Sequence, residues 1–210
     1  IHQTLSQMFG NLYPPHEASS LAALIVEEFT GYGRALQMAS GNNPLTVSQQ
    51  DDILKAAERV SQGEPLQYVL GYTIFCGHRI NVSPAVLIPR PETEELTSMI
   101  ISDNKGFSGT AVDYCTGSGC IAVSLALAFP DAEINATDIS HDAIAVAQQN
   151  ATLNNATVRF HLSDLLSDKQ EDYSDTDIIV SNPPYVRESE KKCMRKNVLD
   201  HEPQSALFVP

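Results

Sequence analysis

The residues here best suited to chemistry are Asn182-Pro183-Pro184-Tyr185. Asn182 carries a side-chain carbonyl acceptor and an amide donor. Pro183 and Pro184 have no N–H and a fixed φ, so a strand that reaches them cannot continue in a sheet. The carbonyls around the prolines are acceptors that no local N–H easily claims, and Tyr185 adds a flat apolar face. Together they suit a planar group bearing an NH2: two acceptors for its hydrogens, one ring for its plane. Holding both hydrogens localises the nitrogen lone pair and makes a poor nucleophile better. The plain alternative is a proline-stiffened turn without chemistry. Ile178 to Val180, just upstream, is a β-branched apolar run that predicts a central strand buried on both faces. The four residues would then form a stiff lip past its carboxyl end, the edge where open α/β sheets bind ligands.

A second group lies upstream. Asp113 ends a predicted strand, and Cys115-Thr116-Gly117-Ser118-Gly119 forms a tight loop opening a helix. Glycines let a backbone approach a ligand closely, and a helix start offers free N–H groups. Asp138 and Asp164 end the next two strands; a carboxylate at the place of Asp138 suits the hydroxyl pair of a ribose. Taken singly, each acid has the plain alternative of a helix cap or a surface charge, the weaker reading for both Asp138 and Asp164. Two cofactors fit, a dinucleotide or S-adenosylmethionine. Ala122 where a third glycine would stand is an allowed variation and does not decide. Asp113 does: a carboxylate before the glycine loop repels a pyrophosphate and attracts a sulfonium or an ammonium.

The elements that must hold these groups follow in order. Ser19 to Phe29 has helical spacing, broken by Gly31-Tyr32-Gly33; Arg34 to Ala39 is a short helix stopped by Gly41 and Pro44. Ser48, with Asp51 three residues on, is the expected N-cap of a helix reaching about Gln62, with Ile53, Leu54, Ala57 and Val60 inward. Tyr72 to Phe75 and Arg79 to Val82 read as a β-hairpin around Cys76-Gly77-His78. Ile88-Pro-Arg-Pro-Glu-Thr-Glu94 then leads into a helix whose first-turn acids, Glu92, Glu94 and Glu95, suit its dipole. Strands over 110–114, 133–137 and 157–161 alternate with helices over 120–129 and from Ser140 to about Leu153, the pattern of a parallel sheet covered by helices.

The composition excludes several classes. With 42% hydrophobic residues and a net charge of −13, the chain is globular and strongly acidic. Such a surface repels phosphate backbones, so stable nucleic-acid binding is not expected. Lys191, Lys192, Arg195 and Lys196 form the one dense basic cluster, expected to be a solvated helix face. No spacing of Cys76, Cys115, Cys120 and Cys193 suits a zinc site, and no metal is expected. Reduced thiols, no signal peptide and no long apolar run predict a cytoplasmic protein without a membrane partner. His2 and His16 carry no pattern.

The motifs resemble the HemK/PrmC family of protein-glutamine methyltransferases, which modify the glutamine of the Gly-Gly-Gln motif of peptide-chain release factors. The resemblance spans nearly the whole chain: the helical start, the hairpin, Ile88 to Glu94, Asp113 to Gly119, Asp138, Asn182 to Tyr185, and Glu202-Pro203. It implies a class I S-adenosylmethionine-dependent methyltransferase, a Rossmann-like and mostly parallel α/β sheet, behind an N-terminal helical bundle. The implied domains are a helical substrate-recognition domain over 1–68, a hairpin linker over 69–90 and a methyltransferase domain over 91–210. Further strands would follow Leu207, so the native protein is expected to be longer. The resemblance further implies that Asp113, Cys115, Thr116, Gly117, Ser118 and Gly119 surround the methionine part of the cofactor, that Asp138 holds its ribose, and that Asp164 and Leu165 border its adenine. It implies that Asn182 bridges cofactor and substrate, that Asn182 and the Pro183 carbonyl take the substrate amide hydrogens, that Pro184 and Tyr185 flank its plane, and that Arg90 and Glu92 wall the pocket. Asn182, Pro183 and Tyr185 would be catalytic. Cys115 stands where the family usually has glycine; either its side chain crowds the methionine part of the cofactor, or a negative φ there lets the backbone tolerate it.

Competing readings are a glutamine of a ribosomal protein, an adenine amine of nucleic acid, a nicotinamide oxidoreductase and a non-catalytic binding module. The acidic charge and the lack of a basic aromatic groove oppose the second, and the oxidoreductase leaves the Asn182–Tyr185 lip unexplained.

Overall fold

The computed structural model describes residues 1–39, 44–166 and 175–209. The chain divides into two compact units, Ile1–Leu70 and Gly71–Pro210.

The first unit is helical: α1 (His2–Phe9), α2 (Pro15–Thr30), α3 (Arg34–Ala39), α4 (Val47–Ser61) and α5 (Leu66–Leu70). Its core joins Leu5 and Phe9 to Ala18, Ala22, Ile25, Ile53, Ala57 and Val60. Gly31 ends α2 in the left-handed conformation, φ +71°. The cap of α4 differs from the expectation. Thr46, not Ser48, accepts from Gln49 N–H, and the Gln49 side chain reaches back to the Thr46 N–H at 3.0 Å. A capping box needs the reach of Glu or Gln at its fourth place; Asp51 is a methylene short. Leu54, expected inward, is 40% exposed, while Ala56 is buried. Gly41, expected to help stop α3, lies outside the described residues.

The second unit opens with a hairpin, β1 (Tyr72–Phe75) and β2 (His78–Asn81). Its two-residue turn places Cys76 at φ +48° and Gly77 at φ +77°, the left-handed pair that matches strand twist. Then follow α6 (Pro91–Asp103), β3 (Thr110–Tyr114), α7 (Cys120–Ala128), β4 (Glu133–Asp138), α8 (His141–Leu153), β5 (Arg159–Leu162) and β6 (Ile178–Ser181). The four later strands form one parallel sheet in the order β5-β4-β3-β6. β7 (Val186–Arg187) and β8 (Phe208–Val209) pair beyond the lip, with α9 (Lys196–His201) between them.

Two sequence expectations change. β5 starts two residues later than expected. β6 is an edge among the described strands, not a strand buried on both faces: Val180 is buried, but Ile179 is 62% exposed. No described helix is long and apolar enough to cross a membrane.

Long-range polar bonds fix the hairpin and loops of this unit. Asn150 of α8 is fully buried. Its Oδ1 accepts from Asn81 N–H at 2.7 Å, and its Nδ2 donates to the carbonyls of Asn81 at 2.9 Å and Ser118 at 2.8 Å. Glu94, expected to serve the helix dipole, also accepts from Cys76 N–H at 2.7 Å and so holds the hairpin turn.

Candidate active site

β3 and β4 end side by side, and their carboxyl ends carry the acids. Asp113 is wholly buried beneath the glycine loop, where its Oδ2 accepts from Thr116 Oγ1 at 2.6 Å and Ala122 N–H at 3.3 Å. Its Oδ1 has no hydrogen-bond partner among the described residues. Burial, reinforced by the nearby charge of Asp138, pushes the Asp113 carboxyl up to about 7. Asp138 is held by two backbone N–H groups, Gly117 on Oδ2 at 2.8 Å and Ser140 on Oδ1 at 2.9 Å.

The loop between them adopts the left-handed region three times, at Cys115 (φ +57°), Gly117 (φ +54°) and Gly119 (φ +78°). The expectation of a negative φ at Cys115 is therefore overturned; this side chain is held where glycine is favoured. At Gly119 a side chain would also clash, its Cβ lying 2.9 Å from Ala147 Cβ and 3.1 Å from Ala147 Cα of α8. Burial, then the charges of Asp138 and Asp113, raises the Cys115 thiol, and burial pushes Cys120 up to about 12. Neither supplies a thiolate at neutral pH.

One cavity, about 740 Å³ including its mouth, lies over this loop; Cys115 to Ser118, Asp138, Ile139, Asn182 and Pro184 are on its wall. A second is lined by Arg90, Glu92, Pro183, Tyr185, Met194 and Val198. Leu87, Thr93, Asn182 and Ala206 line both and form the partition between them. At this partition Asn182 Nδ2 donates to Thr93 Oγ1 at 3.2 Å. The lip itself is anchored by Ser181 Oγ, which donates to the Tyr114 carbonyl at 2.8 Å.

The wall of the second cavity is clamped across the chain. Arg90 Nη2 lies 2.7 Å from Glu202 Oε1, and Ile88 N–H donates to Glu202 Oε2 at 3.3 Å. Glu202 is buried, at 4% exposure.

The structure thus brings Cys115 to Ser118 and Asp138 to one cavity, Arg90, Glu92, Pro183 and Tyr185 to the other, and Asn182 to both; Pro184, expected against the substrate, lies on the wall of the first. Asp113 supports the loop from below, and Gly119 starts α7; neither is on a cavity wall. Asp164 is exposed, accepts from Leu166 N–H at 2.9 Å within its own turn, and with Leu165 lies off both walls. Thr93, Leu87 and Ala206 carried no signal of their own, although Thr93 lies inside the singled-out Ile88–Glu94 stretch. In the basic cluster, Lys191 sits 4.9 Å from the Phe208 ring and Lys196 is 3.4 Å from Asp200.

Two family models match the chain. The PrmC N-terminal domain covers residues 6–71, and the methyltransferase small domain covers residues 73–205. The release factor glutamine methyltransferase of Bacteroides thetaiotaomicron is 43% identical over 207 residues, 98% of this chain and 74% of that protein. The chain belongs to the release factor glutamine methyltransferase family. The namesake proteins of Flavobacterium psychrophilum and Koribacter versatilis are 41% and 40% identical, over 72% and 75% of their own lengths. The resemblance carried by the motifs is therefore a family membership, and the parallel sheet flanked by helices is the class I methyltransferase fold of that family.

Proposed function

We propose that this protein transfers a methyl group from S-adenosylmethionine to the side-chain amide nitrogen of the glutamine in the Gly-Gly-Gln motif of release factors. The observation that carries this reading is the partition: one amide, Asn182, lines both the glycine-loop cavity and the cavity of the Pro183–Tyr185 lip.

The first cavity fits the cofactor. Each Asp138 oxygen accepts one N–H and keeps a second lone pair for a ribose hydroxyl. A Cβ at Gly117 would meet nothing within 4 Å, so the loop backbone is open on that side. The Asp113 carboxyl, lifted to about 7 beneath the loop and with no partner for Oδ1 among the described residues, would be drawn to its charged form by a cationic amino-acid end bound there. When bound, the cofactor supplies an electrophilic methyl group. Cys115 to Ser118 and Asp138 would hold it; Asp113 would act through the loop.

In the second cavity, Asn182 Oδ1 and the Pro183 carbonyl accept the two hydrogens of the glutamine NH2. This fixes the amide plane, directs the nitrogen lone pair at the partition and favours the pyramidal nitrogen of the transition state. The exposed Tyr185 ring lies ready to cover the amide face as substrate enters. The Arg90–Glu202 clamp holds the facing wall. The lip carries no general base and needs none: an amide nitrogen becomes strongly acidic on alkylation, and its proton leaves to water.

The test uses labelled S-adenosylmethionine and a release factor with its Gly-Gly-Gln glutamine intact or replaced. Label on the intact factor alone is the expected result. Equal label on both factors, or label on neither, overturns the reading; label on ribosomal proteins instead would name the other substrate.

A further inference from the structure

We propose that Thr93 is a positioning residue for methyl transfer, holding the Asn182 side chain so that its carbonyl oxygen is presented to the substrate amide. The inference deepens the proposed function and rests on it.

Asn182 is the residue whose orientation matters most, because its two ends do opposite things. Its Oδ1 can accept a substrate hydrogen; its Nδ2 cannot and would repel the NH2 it faces. The two ends differ by a half-turn about one soft torsion, and the lip does not set that torsion. Pro183 and Pro184 stiffen the backbone, and Ser181 anchors it through the Tyr114 carbonyl, which leaves the side-chain torsion of Asn182 free. The hydroxyl of Thr93 restrains it, accepting from Nδ2 at 3.2 Å. With Nδ2 engaged on α6, Oδ1 is the end left for an incoming donor.

Thr93 is well placed for this task. It is buried, at 8% exposure, and its N–H donates to the Arg90 carbonyl at 3.1 Å in the first turn of α6. Thr97 Oγ1 donates to the Thr93 carbonyl at 2.8 Å, so its backbone is bonded at both groups. A threonine in a helix is limited to two χ1 rotamers, which narrows where its hydroxyl can stand. It also stands on the partition, with Asn182, at the place where the methyl group must pass. The chemistry of the hydroxyl, not its bulk, is what the site uses.

Thr93→Val keeps the shape and removes the acceptor; Thr93→Ser keeps the acceptor. On the full-length protein, the Asn182 side-chain NH2 signals are assigned by their loss in Asn182→Ala, and their hydrogen exchange is followed. Exchange should quicken about tenfold in Thr93→Val and return to the parent rate in Thr93→Ser. With a release factor as substrate, kcat should fall roughly ten- to a hundredfold in Thr93→Val and recover in Thr93→Ser, while melting temperature and cofactor affinity stay near the parent values. Unchanged exchange in Thr93→Val, an undiminished kcat beside an active parent, or no recovery in Thr93→Ser would each overturn the proposal. If the parent itself methylates no release factor, the substrate reading fails, and the exchange measurement still decides whether Thr93 orients Asn182.

Discussion

Two residues beneath and within the glycine loop carry strain that solution measurements can read. The Asp113 carboxyl, lifted by burial to about 7 from an unfolded value of 3.8, binds its proton more tightly in the folded chain. Its contribution to stability is therefore complete below the unfolded value and is lost as pH rises through about 7. In ligand-free protein, the difference in unfolding free energy between parent and Asp113→Asn should shift against the parent by a few kcal/mol from about pH 4 to pH 8. Denaturant titrations across that range check this; a difference independent of pH would contradict it. Cys115, at φ +57°, pays a left-handed penalty of about 1 kcal/mol that glycine would not. Cys115→Gly should change stability by less than about 1 kcal/mol, because relief is offset by added chain entropy. Cys115→Val should destabilise by about 1–3 kcal/mol, since a β-branched side chain fits this region worst. Thermal melts of the two variants separate the cases.

Helices and loops show what local sequence could and could not reveal. The Asn182–Tyr185 lip and the Cys115–Gly119 loop were legible because prolines and glycines dictate their own backbone. The α8 cap at Ser140 was legible because a serine oxygen can accept a free N–H of the first turn, and its Oγ accepts from Ala143 N–H at 3.2 Å. The α4 cap was misplaced by two residues because Ser48 and Thr46 both begin plausible caps, and only the reach of Gln49 separates them. Thr93 and Glu202 lay in stretches that carried the resemblance but had no role there, because their partners, Asn182 and Arg90, lie far away in sequence. Asp164 looked like its neighbours Asp113 and Asp138, but it follows β5, an edge among the described strands, and turns back on its own loop. At the junction of loop and α7, Gly119→Ala adds a left-handed strain to a contact with the α8 backbone that cannot yield cheaply. It should cost about 2–3 kcal/mol and weaken cofactor binding, as calorimetry on the folded variant would show. An unchanged melting temperature would mean that α8 gives way.

Across the second unit, the Arg90–Glu202 pair joins two segments far apart in sequence, one of them on the wall of the lip's cavity. Its two halves are unequal. Glu202 is buried, whereas Arg90 is partly exposed, with 35% of its side chain open to solvent. Removing the arginine strands a buried carboxylate; neutralising the carboxylate leaves an arginine that water can reach. Arg90→Ala should therefore destabilise more than Glu202→Gln, by roughly 1–3 kcal/mol after allowance for solvent screening, and raise KM for the protein substrate. Equal losses would show that the clamp acts by packing alone. The fully buried Asn150 has a different consequence. A single primary amide spends all three of its bonds on two distant backbones, the hairpin at Asn81 and the glycine loop at Ser118. Neither can loosen without leaving a polar atom of the buried Asn150 side chain unpaired in a dry interior, so the two are coupled through α8. The amide protons of β2 and of the loop should exchange with solvent at a common free energy, and whatever quiets the loop should quiet the hairpin by the same amount.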